Sequence, residues 1–281
     1  MNKEVLKLSI DKYYKLANIF KSKEWLIDEN NNNSRFNKYY KMLIALDEKE
    51  QELILKLSER FLHINQPMYL EELKKPIENL IENNPEVSKY YVLPMISKKD
   101  KGNISKSAFQ ILYLFKGSSL SEFVDLKGCQ FQTIANIEKF FLNKECLKKN
   151  ERILFVDDFM GTGDTAIEAL EYFHELAPKI VNENISLMSI VIHNMAIRKL
   201  DIDFDLVYKY EIKKGITDFF DGDDLDDSVQ LMKNIEKKLK GLRQEFSFGY
   251  KQSEALVSMQ RIPNNTFPIY WIDKNISPYE R

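Results

Sequence analysis

The sequence predicts an α/β fold in which a mostly parallel sheet is flanked by helices and preceded by an all-helical region. Two observations indicate the sheet. Residues 153–156 form a short, β-branched apolar run, which is typical of a central parallel strand covered on both faces. Further short apolar runs alternate with helical patterns, at residues 90–96, 185–192 and 206–212.

The N-terminal region shows helical spacing only. Asp47 and Glu50 have the spacing of an N-cap and its capping-box partner, and Pro76 predicts the start of another short helix. Because strands are predicted only after residue 85, we expect a helical region at 1–88 and an α/β domain at 89–281. The helical region is interpreted as a cap on the core, an oligomerisation element or a partner-binding element, and these alternatives remain open.

Composition narrows the class of protein. The chain has 281 residues, of which 44% are apolar, so it can bury a sizeable core. Its 41 basic residues nearly balance 43 acidic ones, so charge does not indicate nucleic acid or an anionic membrane as a partner. The N-terminus is too charged for a signal peptide, and the two cysteines, Cys129 and Cys146, suit a reducing compartment. We therefore expect a cytoplasmic protein.

Residues 152–170, RILFVDDFMGTGDTAIEAL, predict a strand, an acidic glycine-rich turn and a helix. The turn follows the carboxyl end of the strand, where ligands bind in open α/β sheets. Gly161 and Gly163 let the backbone approach a ligand, while Thr162, Asp164 and Thr165 offer hydroxyl and capping groups. The free N–H groups of the first helical turn then form an anion site suited to a phosphate.

The adjacent carboxylates of Asp157 and Asp158 would repel a bare phosphate. A sugar phosphate removes this conflict, because its ring hydroxyls donate to the carboxylates while its phosphate binds the glycine-rich turn. Mg²⁺ bridging the hydroxyls and a pyrophosphate would balance the charges.

Three other interpretations of the turn compete with a sugar-phosphate site. Gly161, Gly163 and Ala166 fit a GxGxxA dinucleotide pattern, but two aspartates separate them from the strand. The acidic strand end resembles that of a P-loop ATPase, yet the sequence contains no G-x-x-x-x-G-K-[ST]. A structural turn without a ligand remains an alternative.

The segment FVDDFMGTGDT resembles the phosphoribosyl pyrophosphate (PRPP) motif of type I phosphoribosyltransferases. The resemblance implies a type I phosphoribosyltransferase-like sheet and Mg²⁺-dependent chemistry on PRPP. It implies that Asp157 and Asp158 act in catalysis by holding the ribose hydroxyls and, directly or indirectly, Mg²⁺. It also places the 5′-phosphate at the turn that consists of Gly161, Thr162, Gly163, Asp164 and Thr165.

Upstream, a basic loop follows the strand at 90–96 and could receive the pyrophosphate. Its candidate ligands are Lys98, Lys99, Ser105, Lys106 and Ser107. A merely solvated loop is the alternative. Residues 117–128 are interpreted as a mobile loop that closes over the site, and residues 131–147 as a helix.

Two downstream segments carry weaker signals. The aspartates at 221–227 fail the EF-hand pattern and are interpreted as the start of a helix, although Asp221 keeps a chance of contacting a base. Residues 248–271 resemble the C-terminal part of a bacterial phosphoribosyltransferase-like group found beside retrons and other anti-phage systems. Tyr250, Ser253 and Asn265 are site candidates there, with packing as the alternative.

The resemblance implies transfer of phosphoribose from PRPP to an unknown acceptor, within a bacterial defence system. Two alternatives stay open: a non-catalytic subunit that senses PRPP or a nucleotide, and a nucleobase-salvage enzyme. Expected partners are other defence-system subunits or further copies of the chain, with no membrane.

Overall fold

The structure is a computed structural model that describes residues 8–100, 106–125, 127–141, 146–200 and 203–281. The chain divides into two compact units. One is discontinuous and combines Met1–Ile64 with Lys213–Arg281, and the other is Asn65–Ile212. Each unit buries its own apolar cluster.

The first part of the discontinuous unit contains α1 (Ile10–Ser22), α2 (Arg35–Ile44), α3 (Glu48–Glu59) and the short strand β1 (Leu62–His63). Ser9 and Ser34 cap α1 and α2 through their hydroxyls. The predicted capping box of Asp47 and Glu50 is confirmed at the start of α3. The first predicted helix, 3–21, begins on residues outside the described part.

The continuous unit carries the sheet and its covering helices. In chain order its elements are α4 (Tyr69–Asn83), β2 (Lys89–Pro94), α5 (Ser107–Leu114), α6 (Ser118–Asp125), β3 (Gln130–Thr133), α7 (Ile137–Phe141), β4 (Glu151–Met160), α8 (Asp164–Leu176), β5 (Ile185–His193), α9 (Asn194–Leu200) and β6 (Asp205–Ile212). The five strands pair in the order β3-β2-β4-β5-β6, and each pair is parallel. The predicted class, a parallel sheet flanked by helices, is confirmed.

Three local predictions in this unit are wrong. Pro76 lies inside α4 instead of opening a helix. Residues 117–128 contain the helix α6, whose Leu120 and Val124 are buried. Residues 131–147 were predicted as one helix, but the segment begins with β3, which pairs with β2. Pairing with a distant strand overrides local helical spacing here.

The last part of the discontinuous unit contains α10 (Gly222–Lys238) and β7 (Val257–Ser258). β7 pairs in parallel with β1, so the prediction that strands appear only after residue 85 is wrong. The division into units also differs from the predicted boundary at residue 88. The physical reason is that the N-terminal helices and residues 216–279 bury their side chains in one common cluster. No helix of the described residues is long and apolar enough to cross a membrane.

The structure places the aspartates at 221–227 and the site candidates Ser253 and Asn265. Asp223, Asp224, Asp226 and Asp227 lie within α10, and Asp221 occupies its N-cap position without a side-chain capping bond. The Ser253 hydroxyl donates to the Asn265 carbonyl oxygen at 2.9 Å, and the Asn265 amide donates back to Ser253 at 3.2 Å. Both residues are buried. These bonds agree with the packing alternative for Ser253 and Asn265, and a role of either residue in a site stays a prediction.

Position 249 requires a glycine, both because of its backbone conformation and because other atoms lie close to it. Its φ is +78°, and a Cβ at this position would collide with the Asn265 carbonyl. Gly222 has a positive φ as well, +53°, but no atom lies within 4 Å of the Cβ it would carry.

We therefore expect Gly249→Ala to reduce the free energy of unfolding by about 3 kcal/mol or more, because strain and collision add. Gly222→Ala, the matched control, should cost only about 1 kcal/mol. Denaturant unfolding of both variants measures the difference. Equal losses would contradict the tight packing of residues 249 and 265.

Candidate functional site

The two aspartates lie within the central strand and not in the turn after it. β4 continues to Met160, because Asp157 pairs with Ser189 and Phe159 with Val191 of β5. Successive side chains of a strand point to opposite faces of the sheet. The carboxyl groups of Asp157 and Asp158 nevertheless interact with each other, and both are buried, with 8% and 6% exposure.

Two hydroxyl groups contact the carboxylate pair. The Ser107 hydroxyl at the start of α5 donates to Asp157 Oδ1 at 2.6 Å. The Tyr69 hydroxyl at the start of α4 donates to Asp158 Oδ2 at 2.7 Å. The backbone N–H of Asp158 adds a bond of 2.8 Å to Asp157 Oδ1. Ser107 was a predicted site residue, whereas Tyr69 was missed, since it lies 89 positions from its partner.

Burial raises the pKa of both carboxyl groups. For Asp157 the loss of solvent is the largest cause, and the neighbouring charge of Asp158 raises its pKa further. Loss of solvent also raises the pKa of Asp158, against the hydroxyl bond from Tyr69, which lowers it. Burying two adjacent carboxylates costs stability. Carboxyl groups with such raised pKa values are common at functional sites.

The turn after β4 leaves a helix start open. Gly163 takes the left-handed conformation, with φ of 79°, and is the N-cap of α8 without a side-chain capping bond. The first N–H groups of a helix have no partner within it, so this end attracts an anion. Gly161 and Asp164 are partly exposed and Thr165 is exposed, so this face of the turn is accessible.

Two side chains stabilise the turn. The Thr162 hydroxyl donates to Asp164 Oδ2 at 2.8 Å, and the Lys199 ammonium donates to Asp164 Oδ1 at 2.6 Å. Lys199 lies on α9, a seven-residue helix that the sequence pattern did not reveal. Lys199 brings a positive charge to the turn and offsets the charge of Asp164.

The lysines of the upstream loop form ion pairs with carboxylates. Lys99 contacts Glu168 at 3.0 Å, Lys106 contacts Asp100 at 3.1 Å, and Lys98 contacts Glu175. Glu175 lies on α8, about 16 Å along the helix axis from the first residue of that helix, at a rise of 1.5 Å per residue. Ser105 lies outside the described residues. Pyrophosphate binding by this loop therefore stays a prediction.

The carboxylate pair is the candidate metal position. The described residues contain no group of three or more His, Cys, Asp or Glu side chains that could hold a metal ion by themselves. Two carboxylates suit Mg²⁺, which commonly takes one or two carboxylates and completes its octahedron with water and substrate phosphates.

The family assignment follows from the sequence. The family model PRTase-CE matches residues 19–280. The chain belongs to the PRTase-CE family. This match begins within α1 and includes both units, whereas the resemblance in the sequence covered only about residues 90–271. No curated protein matches the chain.

Solved phosphoribosyltransferases show a distant likeness to this PRTase-CE protein. The Schistosoma mansoni hypoxanthine-guanine enzyme, in complex with IMP, matches at 12% identity and a TM-score of 0.32, over 53% of this chain and 67% of its own. The Helicobacter pylori xanthine-guanine-hypoxanthine enzyme matches at 12% and 0.31, over 54% and 85%. The Pyrococcus horikoshii Ot3 purine phosphoribosyltransferase matches at 12% and 0.27, over 53% and 86%.

Removing the charge of a ligand-binding carboxylate pair should raise or leave unchanged the melting temperature, whereas removing the charge of a structural carboxylate should lower it. We expect Asp157→Asn combined with Asp158→Asn to leave the melting temperature unchanged or raise it by about 2–4 °C, because the buried charges disappear while both asparagines still accept from Ser107 and Tyr69. Asp205→Asn is the matched control, since Asp205 accepts from Ser186 and pairs with Arg152. It should lower the melting temperature by about 2–4 °C.

The difference in stability between the parent protein and the double Asn variant should also depend on pH. The folded pKa values of the pair are raised, so folded parent protein binds more protons than unfolded protein between the ordinary Asp pKa and the raised values. Parent stability therefore falls as pH rises through that window, and the advantage of the double variant should grow. Unfolding of the double variant at every pH would show that the carboxylates are structural.

Proposed function

We propose that this PRTase-CE protein binds PRPP at the carboxyl end of β4 and transfers its phosphoribosyl group to a nucleophile. One observation carries the proposal. Two buried carboxylates, each already bonded to a hydroxyl, lie near the end of β4, two residues before a glycine turn that opens an uncapped helix. This arrangement supplies acceptors for the hydroxyls of a sugar and N–H donors for its phosphate.

Each group of site residues has a separate role in this proposal. Asp157 and Asp158 accept from the ribose hydroxyls and stabilise the positive charge that develops on the ring as the bond to pyrophosphate breaks. Ser107 and Tyr69 hold the carboxylates in place through the bonds of 2.6 and 2.7 Å. The N–H groups at the start of α8, together with Thr162 and Thr165, hold the 5′-phosphate, so the anomeric carbon is presented to the acceptor in one orientation.

Mg²⁺ fits the donor set of this proposal. The carboxylate oxygens of Asp157 and Asp158 would hold the ion directly or through the ribose hydroxyls, and it would neutralise the pyrophosphate as that group leaves. Lys98, Lys99 and Lys106 would assist only after giving up their present ion pairs.

Those ion pairs favour a second candidate, a PRPP or nucleotide sensor that binds without turnover. A loop whose lysines are neutralised by Glu168 and Glu175 offers less charge to a leaving pyrophosphate. Pyrophosphate release in the presence of candidate acceptors separates the two functions. We further propose a role in bacterial anti-phage defence, which rests on the resemblance of residues 248–271 and leaves the acceptor unknown. Transfer to a nucleobase, as in salvage enzymes, is a separate alternative.

PRPP with Mg²⁺ should raise the melting temperature of the parent protein, because a ligand that binds only the folded state stabilises it. The same concentration should produce no shift in the Asp157→Asn, Asp158→Asn variant. Thr165→Ala should show a reduced shift that still requires Mg²⁺, since only the phosphate side has changed. A full shift in the double variant would contradict a PRPP site at β4.

Tyr69→Phe should move the pH dependence of PRPP binding. The Tyr69 hydroxyl lowers the pKa of Asp158, so removing it raises that pKa further. Binding requires ionised carboxylates and should then be lost at a higher pH than in the parent. Tyr90→Phe is the matched control, because Tyr90 is equally buried but its hydroxyl lies near the Leu80 carbonyl. Identical titrations of the parent and Tyr69→Phe would exclude a positioning role for Tyr69.

A further inference from the structure

A cavity of about 330 Å³ lies along α5 in the unit 65–212. We call it the α5 cavity. Its lining includes Gln66, Tyr69, Phe109, Gln110, Tyr113 and Lys116. The volume falls within the range of roughly 300–1,000 Å³ that is usual for small-molecule sites.

The aromatic residues of the α5 cavity suit a flat ring. Phe109 and Tyr113 are four positions apart on α5, so they lie on the same face of the helix. Tyr113 is 74% exposed, so its ring is accessible to a ligand from solvent. Aromatic side chains stack on nucleobases without requiring one particular base.

The polar residues of the cavity suit the edges of a base and a phosphate. The side-chain amides of Gln66 and Gln110 each present two N–H donors and one carbonyl acceptor, which is the set that pairs with base edges. Lys116 is exposed and supplies a positive charge. A lipid tail would use the aromatic rings but would leave the two amides without a hydrogen-bond partner.

We propose that the α5 cavity binds a mononucleotide, with its base against Phe109 and Tyr113 and its phosphate toward Lys116. This site is distinct from the turn at Gly161–Thr165 and goes beyond the proposed function. The two sites nevertheless share elements. Tyr69 lines the cavity and donates to Asp158, and α5 begins at Ser107, which donates to Asp157.

Because of these shared residues, occupancy of the α5 cavity should alter the affinity of the carboxylate site. Coupling between two binding sites is reciprocal, so a ligand at the carboxylate site changes nucleotide affinity by the same factor. The cavity would thus let a nucleotide regulate the sugar-phosphate site.

The test is titration of the full chain with AMP and with GMP by calorimetry. Tyr113→Ala should weaken binding at least tenfold, and Gln110→Ala should weaken it as well. Tyr14→Ala is the matched control, because Tyr14 is also a highly exposed tyrosine, at 62%, but lies on α1. It should bind as the parent does. Tyr113→Phe should bind within about twofold of the parent, since it keeps an aromatic face.

The turn variants separate this site from the proposed PRPP site. Thr165→Ala and the double Asn variant should retain AMP binding, even if PRPP binding is lost. The α5 cavity proposal would be overturned if Thr165→Ala abolished nucleotide binding while Tyr113→Ala left it unaffected. It would also be overturned if the parent protein gave no heat of binding with millimolar AMP or GMP. Absence of PRPP binding with intact, Tyr113-dependent AMP binding would refute only the proposed function. A melting curve of each variant confirms folding, and Gln110→Ala carries the test if Tyr113→Ala unfolds.

Discussion

The site depends on one costly arrangement, the burial of two adjacent carboxylates in the central strand. The two carboxyl groups interact with each other, and the Ser107 hydroxyl lowers the pKa of both against the effect of burial. Ser107 donates a short bond to Asp157, and Tyr69 donates one to Asp158. Both hydroxyls come from helix starts, since α4 begins at Tyr69 and α5 begins at Ser107.

The region around β4 could be predicted from the sequence because its signals are local. An apolar run, two aspartates, two glycines and an amphipathic helix are adjacent in the chain, and each has a distinct backbone preference. The parallel order of the sheet followed from alternating strands and helices. The extension of β4 through Met160 was not predicted, since it depends on pairing with β5.

What the sequence did not reveal depends on contacts between distant residues. Tyr69 meets Asp158 across 89 positions, and Lys199 meets Asp164 from a helix too short to give a periodic pattern. β1 and β7 have two residues each and exist only as a pair. The discontinuous unit was missed for the same reason, because its two halves complete one apolar cluster only after the chain returns at Lys213. The family match nevertheless extends over both halves, from residue 19 to residue 280.

The central claim is that the carboxylate pair and the glycine turn bind one ligand, with the sugar at one end and the phosphate at the other. A crystal structure of the full chain with PRPP and Mg²⁺ tests it most directly. The account predicts ribose hydroxyl oxygens at hydrogen-bond distance, about 2.5–3.0 Å, from carboxylate oxygens of Asp157 and Asp158. It predicts the 5′-phosphate on the N–H groups at the start of α8. PRPP bound elsewhere, or a phosphate on the turn with the sugar directed away from the aspartates, would contradict it.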